Sequence, residues 1–456
     1  SRLWSAYMDR RVESFFERDL SALTLGGLAS ELERIDRGFD RNGLIMLTCS
    51  SNFLMSYVVM KKFLDWFGRP EARRKERDLF GALEVQSAKP VLDLLELTRQ
   101  ATASETIEAI IRGRKADRVL EALERAEAKG DRQGGAFLDA LAEFCDEHGH
   151  RAPREAELAT PRWREETRFI FEVIQSYLEA PEMPTPEAYR REWAADRREV
   201  EAIVDQGFGD AAGFVFRGLL GWARSNARIR EFMRSHVVET LDLYRRFARE
   251  CGRRLAENGL LHRPDDVFYL RYDEIRVWLR GESGGEGVVR EFSLRVAVRR
   301  ALVDALRDFP DPPNTFVLQD GEIVDAEKFR RRDARAVAEP TEVRQRLEGL
   351  AGMRGKVTGR ARVIEDPEAG QTVQPGEILV APYTDVGWTP LFLTASAIVM
   401  GLGGPLSHAC IVAREFGIPT VVNARGATDI IETGDLVTVD GDAGIVYVHQ
   451  QEDDTT

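Results

Sequence analysis

The sequence contains little cysteine and no cysteine cluster. The four cysteines in the 456 residues lie far apart, at Cys49, Cys145, Cys251 and Cys410. A disulfide framework needs several cysteines in a short chain, and a structural zinc site needs close pairs of cysteine or histidine. Both kinds of fold are therefore excluded. No basic and then apolar leader precedes the first helical pattern, so we expect a protein of the reducing cytoplasm.

The sequence also lacks an excess of basic charge and an apolar run of membrane length. It has 64 Lys and Arg residues against 77 Asp and Glu residues, a net charge of −13, which argues against nucleic acid as a partner. The most membrane-like stretch, residues 44–60, includes Thr48, Ser51 and Asn52 and falls short of the roughly 20 apolar residues that a span needs. We expect no membrane partner. We interpret this stretch as a core helix or, as the second choice, as the lining of a pocket for a bulky, partly apolar substrate.

Two kinds of hydrophobic periodicity divide the chain. From residue 1 to about 303, apolar residues recur at helical spacing and predict a mostly helical region of about ten helices. Within the following segment, Val317–Val324 has alternating residues around Asp320-Gly321 and predicts a β-hairpin. After Gly355, short β-type runs alternate with turns and two short helices, as in a compact α/β domain.

The predicted fold class is therefore multidomain, α followed by α/β. We assign residues 1–338 to a large helical domain that binds the acceptor substrate. The polar, charged and helix-compatible residues 339–353 are interpreted as a semi-rigid linker. Residues 354–450 then form the small α/β domain, and 451–456 form a tail.

The most informative motif joins a predicted strand to a predicted helix through a glycine-rich turn. Residues 403–419 read Gly-Gly-Pro-Leu-Ser-His-Ala-Cys-Ile-Val-Ala-Arg-Glu-Phe-Gly-Ile-Pro. Ser407 is suited to cap the helix, and the glycine and proline at the end of the motif terminate it. His408 then lies in the first turn, where free N–H groups and the positive helix end stabilise an anion.

The residues alone support two interpretations of His408 equally. One is a surface histidine on a capped helix. The other is a neutral, nucleophilic imidazole that accepts a phosphoryl group, with Ser407 and the backbone N–H groups binding the phosphate oxygens. Gly403 and Gly404 would let a second chain or a ligand approach closely.

The motif resembles the phosphohistidine motif of the phosphoenolpyruvate-utilising enzymes, which include phosphoenolpyruvate synthase, pyruvate phosphate dikinase and rifampin phosphotransferase. The likeness covers residues 355–448. It implies a swivelling domain in which His408 is phosphorylated by ATP or phosphoenolpyruvate and then moves to a second site. In several relatives a threonine open to regulatory phosphorylation stands at the position of Leu406, so we do not expect that control here.

Two segments of the helical region resemble the substrate domain of rifampin phosphotransferases, namely residues 147–163 and 260–270. The likeness implies a supporting role there for His148, His150 and Arg151. Without it, the two histidines suggest a metal site, but a third ligand at useful spacing is missing, so we expect no metal and keep a metal-dependent hydrolase as an alternative. Ala152 stands where the relatives tend to have glycine. Within the second segment, residues 264–270 predict a strand packed against helices.

Arg224 and Arg228 form a third candidate site. They are four residues apart on a predicted helix, so both guanidinium groups emerge on one face. Phosphoryl transfer needs fixed cations that neutralise the equatorial oxygens, and the resemblance to the rifampin enzymes places a basic pair here. The alternative is a solvated, arginine-rich face.

The resemblance implies an enzyme, the acceptor and swivelling portion of a dikinase-type phosphotransferase. The sequence has no Walker glycine loop and no recognisable ATP-grasp domain. We therefore expect ATP and Mg²⁺ to bind to a separate or missing ATP-grasp domain or subunit. His408 would pass the phosphoryl group to a hydroxyl of a small organic substrate. The alternatives are a phosphorylation-dependent dehydratase or condensing enzyme of a biosynthetic pathway, and a phosphohistidine carrier or regulatory module.

Overall fold

The structure is a computed structural model, and it describes residues 18–74, 76–80, 83, 85–180, 185–281, 286–306, 316–319, 322–325, 343–365 and 371–450. Three parts of the sequence predictions lie outside these residues: the tail 451–456, the first residues of the linker, 339–342, and the hairpin turn Asp320-Gly321.

The first part of the described chain is helical, as predicted. Helices α1 to α11 cover, in order, Leu25–Phe67, Pro70–Arg74, Lys89–Thr102, Glu105–Arg112, Val119–Glu127, Arg132–His148, Arg168–Glu179, Pro186–Gly207, Asp210–Glu257, Tyr272–Leu279 and Glu286–Leu306. Local chemistry starts several of them. The Asp131 carboxylate accepts a hydrogen bond from the Gln133 N–H at the start of α6, and the Thr185 hydroxyl caps α8, whose first residue is Pro186.

The described residues form two compact units. One contains Leu32–Arg245 together with the residues from Val343 onward, and the other contains Asp19–Glu31 with Arg246–Glu342. The predicted domain boundary near residue 354 does not coincide with this division, because the first unit combines most of the helical region with the α/β region. Every residue of the candidate site described below belongs to the first unit.

The α/β region contains one eight-stranded mixed sheet. Strands β3 to β10 cover Val343–Glu348, Leu350–Met353, Lys356–Val363, Ile378–Ala381, Ala397–Met400, Thr420–Val422, Leu436–Asp440 and Ile445–His449. Their order in the sheet is β3-β10-β9-β5-β6-β7-β8-β4, and the steps from β5 through β8 are parallel. The short helices α12 (Thr389–Phe392), α13 (His408–Glu415) and α14 (Ala427–Ile430) lie in the connections. The predicted fold class is confirmed.

The alternation of side chains along the parallel strands gives the sheet two buried faces. On β6, Ile378 and Val380 pack in a cluster that belongs to the α/β region alone. Leu379 and Ala381 point the other way, into a cluster that also contains side chains of the helices, such as Leu94 of α3. The hydrophobic core of the helical region therefore continues onto one face of the sheet.

The predicted linker is wrong where the structure describes it. Residues 343–353 form β3 and β4, which pair antiparallel with β10 and β8. Their many charged side chains suggested a solvated connection, but Leu347 and Ala351 are buried, and the polar side chains alternate outward from the sheet edges.

Two predictions for the segment after α9 have opposite outcomes. The hairpin is confirmed as β1 (Phe316–Gln319) paired antiparallel with β2 (Glu322–Asp325). The predicted strand at 264–270 is wrong, because Pro264–Tyr269 is a 3₁₀ helix. Proline at its first position fixes φ for a helical turn, and the Asp266 carboxylate accepts a hydrogen bond from the Arg263 N–H at 3.1 Å.

The prediction that residues 44–60 form a core helix is wrong for most of their side chains. The stretch lies within α1, and Phe53 and Met60 are buried. However, only 17% of the most apolar 18-residue window of α1 is buried, and among the described residues α1 is the one helix long and apolar enough to cross a membrane by length and composition. The exposed apolar side chains of the stretch are Leu44, Leu47, Leu54, Met55, Val58 and Val59.

The strand assignment of residues 343–353 makes a testable prediction. A fragment of residues 343–450 should unfold at a clearly higher temperature than one of residues 354–450. The shorter fragment loses the burial of Leu347, which contributes about 2 kcal/mol to the free energy of unfolding. It also loses the backbone hydrogen bonds that pair β3 with β10 and β4 with β8, at about 1 kcal/mol for each bond. Circular dichroism melts of the two fragments measure the difference. Equal midpoints would show that β3 and β4 are not part of the folded sheet.

Candidate active site

The local structure around His408 is the predicted strand, turn and helix. Helix α13 begins at His408, and Ser407 stands at the N-cap position with extended backbone (φ −66°, ψ 160°). Gly403 has φ 132°, in the region that favours glycine. The Ser407 N–H donates to the Gly404 carbonyl at 2.8 Å. The Ser407 hydroxyl oxygen is buried and bonds to none of the described residues, so it occupies the cap position without capping the helix.

His408 is buried, with a side chain that is 2% exposed. Its Nε2 lies 3.1 Å from the hydroxyl oxygen of Thr389, the first residue of α12. Its Nδ1 lies 3.4 Å from a carboxylate oxygen of Glu231 on α9. The imidazole is therefore held between the α/β region and the helical region. The interpretation of a surface histidine is excluded.

The surroundings of His408 and Glu231 favour a neutral imidazole next to an ionised carboxylate. Burial lowers the pKa of His408, and the positive charge of Arg234 adds to this, while the hydrogen bond with Glu231 opposes it. Burial works against ionisation of Glu231, but the hydrogen bond with His408 and the charges of Arg230 and Arg234 outweigh it and lower the pKa of Glu231 to about 2. A neutral imidazole that donates from Nδ1 to the carboxylate keeps its lone pair on Nε2, where the Thr389 hydroxyl donates to it.

A second pair of carboxyl groups lies beside this arrangement. The Asp385 carboxylate accepts hydrogen bonds from the N–H groups of Glu155 and Gly387, each at 3.0 Å. Burial, followed by the negative charge of Glu155, raises the pKa of Asp385 well above its usual range. Glu155 also acts electrostatically on His408, and one of its carboxylate oxygens accepts from Arg151 at 2.9 Å. Arg151, predicted to support the substrate domain, is thus linked to the surroundings of His408 through Glu155.

The predicted arginine pair serves the helical region in this structure. The Arg224 guanidinium donates to the Leu79 carbonyl at 2.6 Å, and the Arg228 guanidinium donates to the Leu83 carbonyl at 2.9 Å. Both guanidinium groups thus bind backbone carbonyls of the helical region. Two residues after Arg228 on α9, Arg230 donates to the Leu406 carbonyl at 3.2 Å, and Leu406 lies two residues before His408. The catalytic role of Arg224 and Arg228 stays a prediction.

His148 and His150, the two histidines singled out in the sequence, have different polar neighbours. His148 Nε2 lies 2.7 Å from an Asp93 carboxylate oxygen, and burial lowers the pKa of His148 although Asp93 opposes it. Burial, with the charge of Arg151, lowers the pKa of His150 well below its usual value. A metal ion could be held by Asp93, Glu147 and His148, whose ligand atoms lie within 4.8 Å of one another. His150 is not part of that group, so the two histidines do not converge as a metal site.

Glu231, Thr389 and Asp385 are not among the site residues predicted from the sequence. Glu231 was within reach, because it lies seven residues after Arg224 and three after Arg228, on the same face of α9. Thr389 and Asp385 carry no comparable signal. Their positions next to the site depend on how residues 385–392 fold against α13 and against the segment around Glu155.

Neutral hydrogen bonds from buried side chains join the helical region to the α/β region. The donors include two tryptophans, a tyrosine and a serine, and every acceptor is a backbone carbonyl, which fixes the position of the backbone. The pairs are Trp388 Nε1 to Pro153 (2.8 Å), Trp193 Nε1 to Glu415 (2.6 Å), Tyr177 hydroxyl to Pro390 (2.7 Å) and Ser176 hydroxyl to Val373 (2.8 Å).

Family models match both regions that contribute to the site. Residues 373–444 match the mobile domain of the PEP-utilising enzymes, and residues 45–231 match the fourth domain of rifampicin phosphotransferase. The resemblance seen in the motif around His408 is confirmed. His408 lies in the first of these matched regions, and Glu231 is the last residue of the second.

Individual relatives are longer than this chain. The prodigiosin synthesizing transferase PigC of Serratia marcescens is 29% identical over 461 residues, which cover 98% of this chain and 48% of PigC. The uncharacterized protein Rv2047c of Mycobacterium tuberculosis is 35% identical over 66% of this chain and 30% of its own length. A rifampicin phosphotransferase of a Streptomyces species is 28% identical over 84% of this chain and 42% of its own. The chain therefore spans less than half the length of these relatives.

The contact between Glu231 and His408 makes a prediction about pH. In the wild-type chain, the pKa of His408 should lie below 6.5, its ordinary value. Glu231→Gln should lower that pKa further, because the carboxylate favours the protonated imidazole. The buried imidazole binds a proton less readily than the exposed imidazole of the unfolded chain. The free energy of unfolding should therefore decrease as the pH falls through 6.5. Nitrogen-15 NMR of labelled histidine measures the pKa of His408 in the wild-type chain and in Glu231→Gln.

Glu201→Gln provides the control for that titration, because Glu201 is an exposed residue of α8. The control should leave the pKa of His408 at its wild-type value. A pKa of His408 that rises in Glu231→Gln would contradict the assigned contact.

Proposed function

We propose that the chain is the acceptor and phosphoryl-carrying portion of a dikinase-type phosphotransferase, with His408 as the carrier. The observation that supports this most directly is the arrangement of the imidazole. Nδ1 faces the carboxylate of Glu231, and Nε2 faces only a hydroxyl, that of Thr389. A neutral imidazole with its proton on Nδ1 and its lone pair on Nε2 is the form that remains when a phosphoryl group leaves Nε2, so this arrangement suits the position in which the group is delivered.

In the first transfer, Nε2 of His408 attacks a phosphorus atom of ATP. The N–P bond forms, the P–O bond to the leaving group breaks, and its electron pair departs with the leaving oxygen. ATP and Mg²⁺ are proposed to bind to an ATP-grasp domain or subunit outside this chain. Thr389 must turn its hydroxyl away from Nε2 to admit the phosphoryl group, and the same hydroxyl can then donate to a phosphoryl oxygen.

In the second transfer, a hydroxyl of a small organic acceptor attacks the phosphorus atom while His408 lies against Glu231. The N–P bond breaks and its electron pair returns to Nε2, which leaves the imidazole neutral with its proton on Nδ1. The hydroxyl proton passes to Asp385, whose raised pKa makes its carboxylate a stronger base than that of an exposed aspartate. After transfer, the neutral imidazole fits the buried position that the structure describes, since burial disfavours only its charged form.

The charge of the phosphoryl group needs fixed cations. We assign this role to Arg230 and Arg234. Arg234 acts electrostatically on His408, Glu231 and Asp385, and Arg230 contacts the carbonyl of Leu406. Arg224 and Arg228, the pair suggested by the sequence, would instead fix the backbone around residues 79–83 through the carbonyls that they bind.

A second candidate function has one observation in its favour. PigC, which matches 98% of this chain, is named as a prodigiosin synthesizing transferase, and this favours an enzyme that eliminates the phosphate during condensation or dehydration. Analysis of the products separates the two functions. A stable phosphate ester accumulates in the first case, while inorganic phosphate and a new organic product appear together in the second.

A carrier or regulatory module is the third candidate. Transfer of the phosphoryl group from His408 to a small organic acceptor, in the presence of the ATP-grasp partner, would exclude it, because a module that only relays the group to another protein modifies no small molecule.

Replacement of the carrier tests the proposed function. His408→Asn should abolish an acid-labile gain of one phosphoryl group on incubation with ATP, Mg²⁺ and the ATP-grasp partner, because asparagine has no nucleophilic ring nitrogen. Turnover of the acceptor should vanish with it. Intact-mass spectrometry measures the first effect. The control is His449→Asn, which removes a histidine of β10 that hydrogen-bonds to Thr438. Undiminished phosphorylation of His408→Asn would contradict the proposed mechanism.

A further inference from the structure

Among the described glycines, Gly387 makes the closest contact between the helical region and the α/β region. A Cβ atom on this residue would lie 1.9 Å from the carbonyl oxygen of Ala152 and 2.4 Å from its carbonyl carbon. Real Cβ contacts do not come that close, and both partners are backbone atoms that cannot rotate away. Gly387 is therefore the residue whose missing side chain allows the two segments to touch.

The conformation of Gly387 itself does not require glycine. It is absent from the glycines with positive φ, and it lies in the short 3₁₀ helix Val386–Trp388. The three atoms nearest to a Cβ at this position belong to Ala152 and Pro153. An alanine at this position would thus clash across the contact and leave the backbone conformation of the α/β region unstrained.

Hydrogen bonds on both sides of Gly387 fix the same two segments against each other. On one side, the Asp385 carboxylate accepts from the Glu155 N–H at 3.0 Å. On the other, the buried Trp388 donates from Nε1 to the Pro153 carbonyl at 2.8 Å. The next residue is Thr389, whose hydroxyl contacts Nε2 of His408. The position of the imidazole therefore follows directly from the contact between residues 385–388 and residues 152–155.

We propose that Gly387 is a positioning residue that seats the α/β region on residues 152–155 and so brings His408 to Glu231. This inference rests on the proposed function, in which the mobile domain carries the phosphoryl group between two places. Only delivery to the acceptor needs the seated position. Phosphorylation by ATP takes place with His408 away from Glu231, because the seated imidazole is buried. Gly387→Ala should separate the two transfers, blocking the second and sparing the first.

The accessibility of His408 to a small reagent tests whether Gly387 positions the α/β region on residues 152–155. This test needs no substrate. Potassium phosphoramidate phosphorylates exposed histidine side chains, and peptide mass spectrometry measures the rate at each histidine. In the full wild-type chain, His408 should react slowly because it is buried. In Gly387→Ala it should react about tenfold faster or more, the change that corresponds to 1.4 kcal/mol in the seating equilibrium. His449, on β10 of the same region, should keep its rate and so report that the region is still folded.

Two further variants make the result decisive. Gly221→Ala is the matched control, because a Cβ there has no atom within 4 Å, and it should leave the rate at His408 unchanged. Trp388→Phe removes the hydrogen bond to Pro153 without adding a clash and should give an intermediate increase. If Gly387→Ala fails to fold, which a faster His449 would reveal, Trp388→Phe carries the test. Wild-type rates at His408 in the folded variants, or a wild-type His408 as reactive as His449, would overturn the inference.

The experiments give different results if the positioning role of Gly387 is wrong and if the proposed function is wrong. If Gly387→Ala accepts the phosphoryl group from ATP and still delivers it to an acceptor at the wild-type rate, the seat is refuted and the carrier role stands. If His408 reacts with phosphoramidate but never with ATP and the partner, the carrier role is refuted, while the accessibility measurements still decide the seat.

Discussion

A buried hydrogen bond between an imidazole and a carboxylate holds the site together. Glu231 and His408 lie 177 residues apart in the sequence, and each side chain is at most 2% exposed. A buried carboxylate is costly unless it is paired. Glu231 is paired with His408 and lies 3.5 Å from Arg230. The same contact sets the protonation of the ring, because a proton shared between Nδ1 and Glu231 leaves the lone pair on Nε2.

Helix α9 organises the surroundings of this hydrogen bond. One face of the helix supplies Arg224 and Arg228 to carbonyls around residues 79–83, then Glu231 to His408, and one turn later Ser235 to Arg151 at 2.9 Å. A rigid helix keeps these side chains at fixed spacing, so the position of the α/β region on the helical region decides whether the imidazole reaches its carboxylate. The neutral hydrogen bonds from buried aromatic side chains and the close contact at Gly387 set that position.

Local signals in the sequence were sufficient for the fold class and for the strand, turn and helix around His408. The apolar strand, the glycine turn and the helix around His408 lie within about twenty consecutive residues, and each is governed by local backbone chemistry. The features that escaped prediction depend on distant partners. Strands β3 and β4 pair with β10 and β8, which lie far along the chain, so their charged residues resemble a linker until those partners are known. Residues 44–60 have the composition of a core helix, yet most of their apolar side chains are exposed, and periodicity alone does not tell which surfaces are covered. Thr389 and Asp385 become part of the site only through tertiary contacts.

Identification of the nitrogen atom that carries the phosphoryl group tests the central claim most directly. The chain can be labelled with nitrogen-15 histidine, phosphorylated by ATP with the ATP-grasp partner, and studied by phosphorus and nitrogen NMR. The account predicts a single phosphoramidate, with phosphorus coupled to Nε2 of His408 and a proton retained on Nδ1. Phosphorus coupled to Nδ1, or attached to any residue other than His408, would contradict the account.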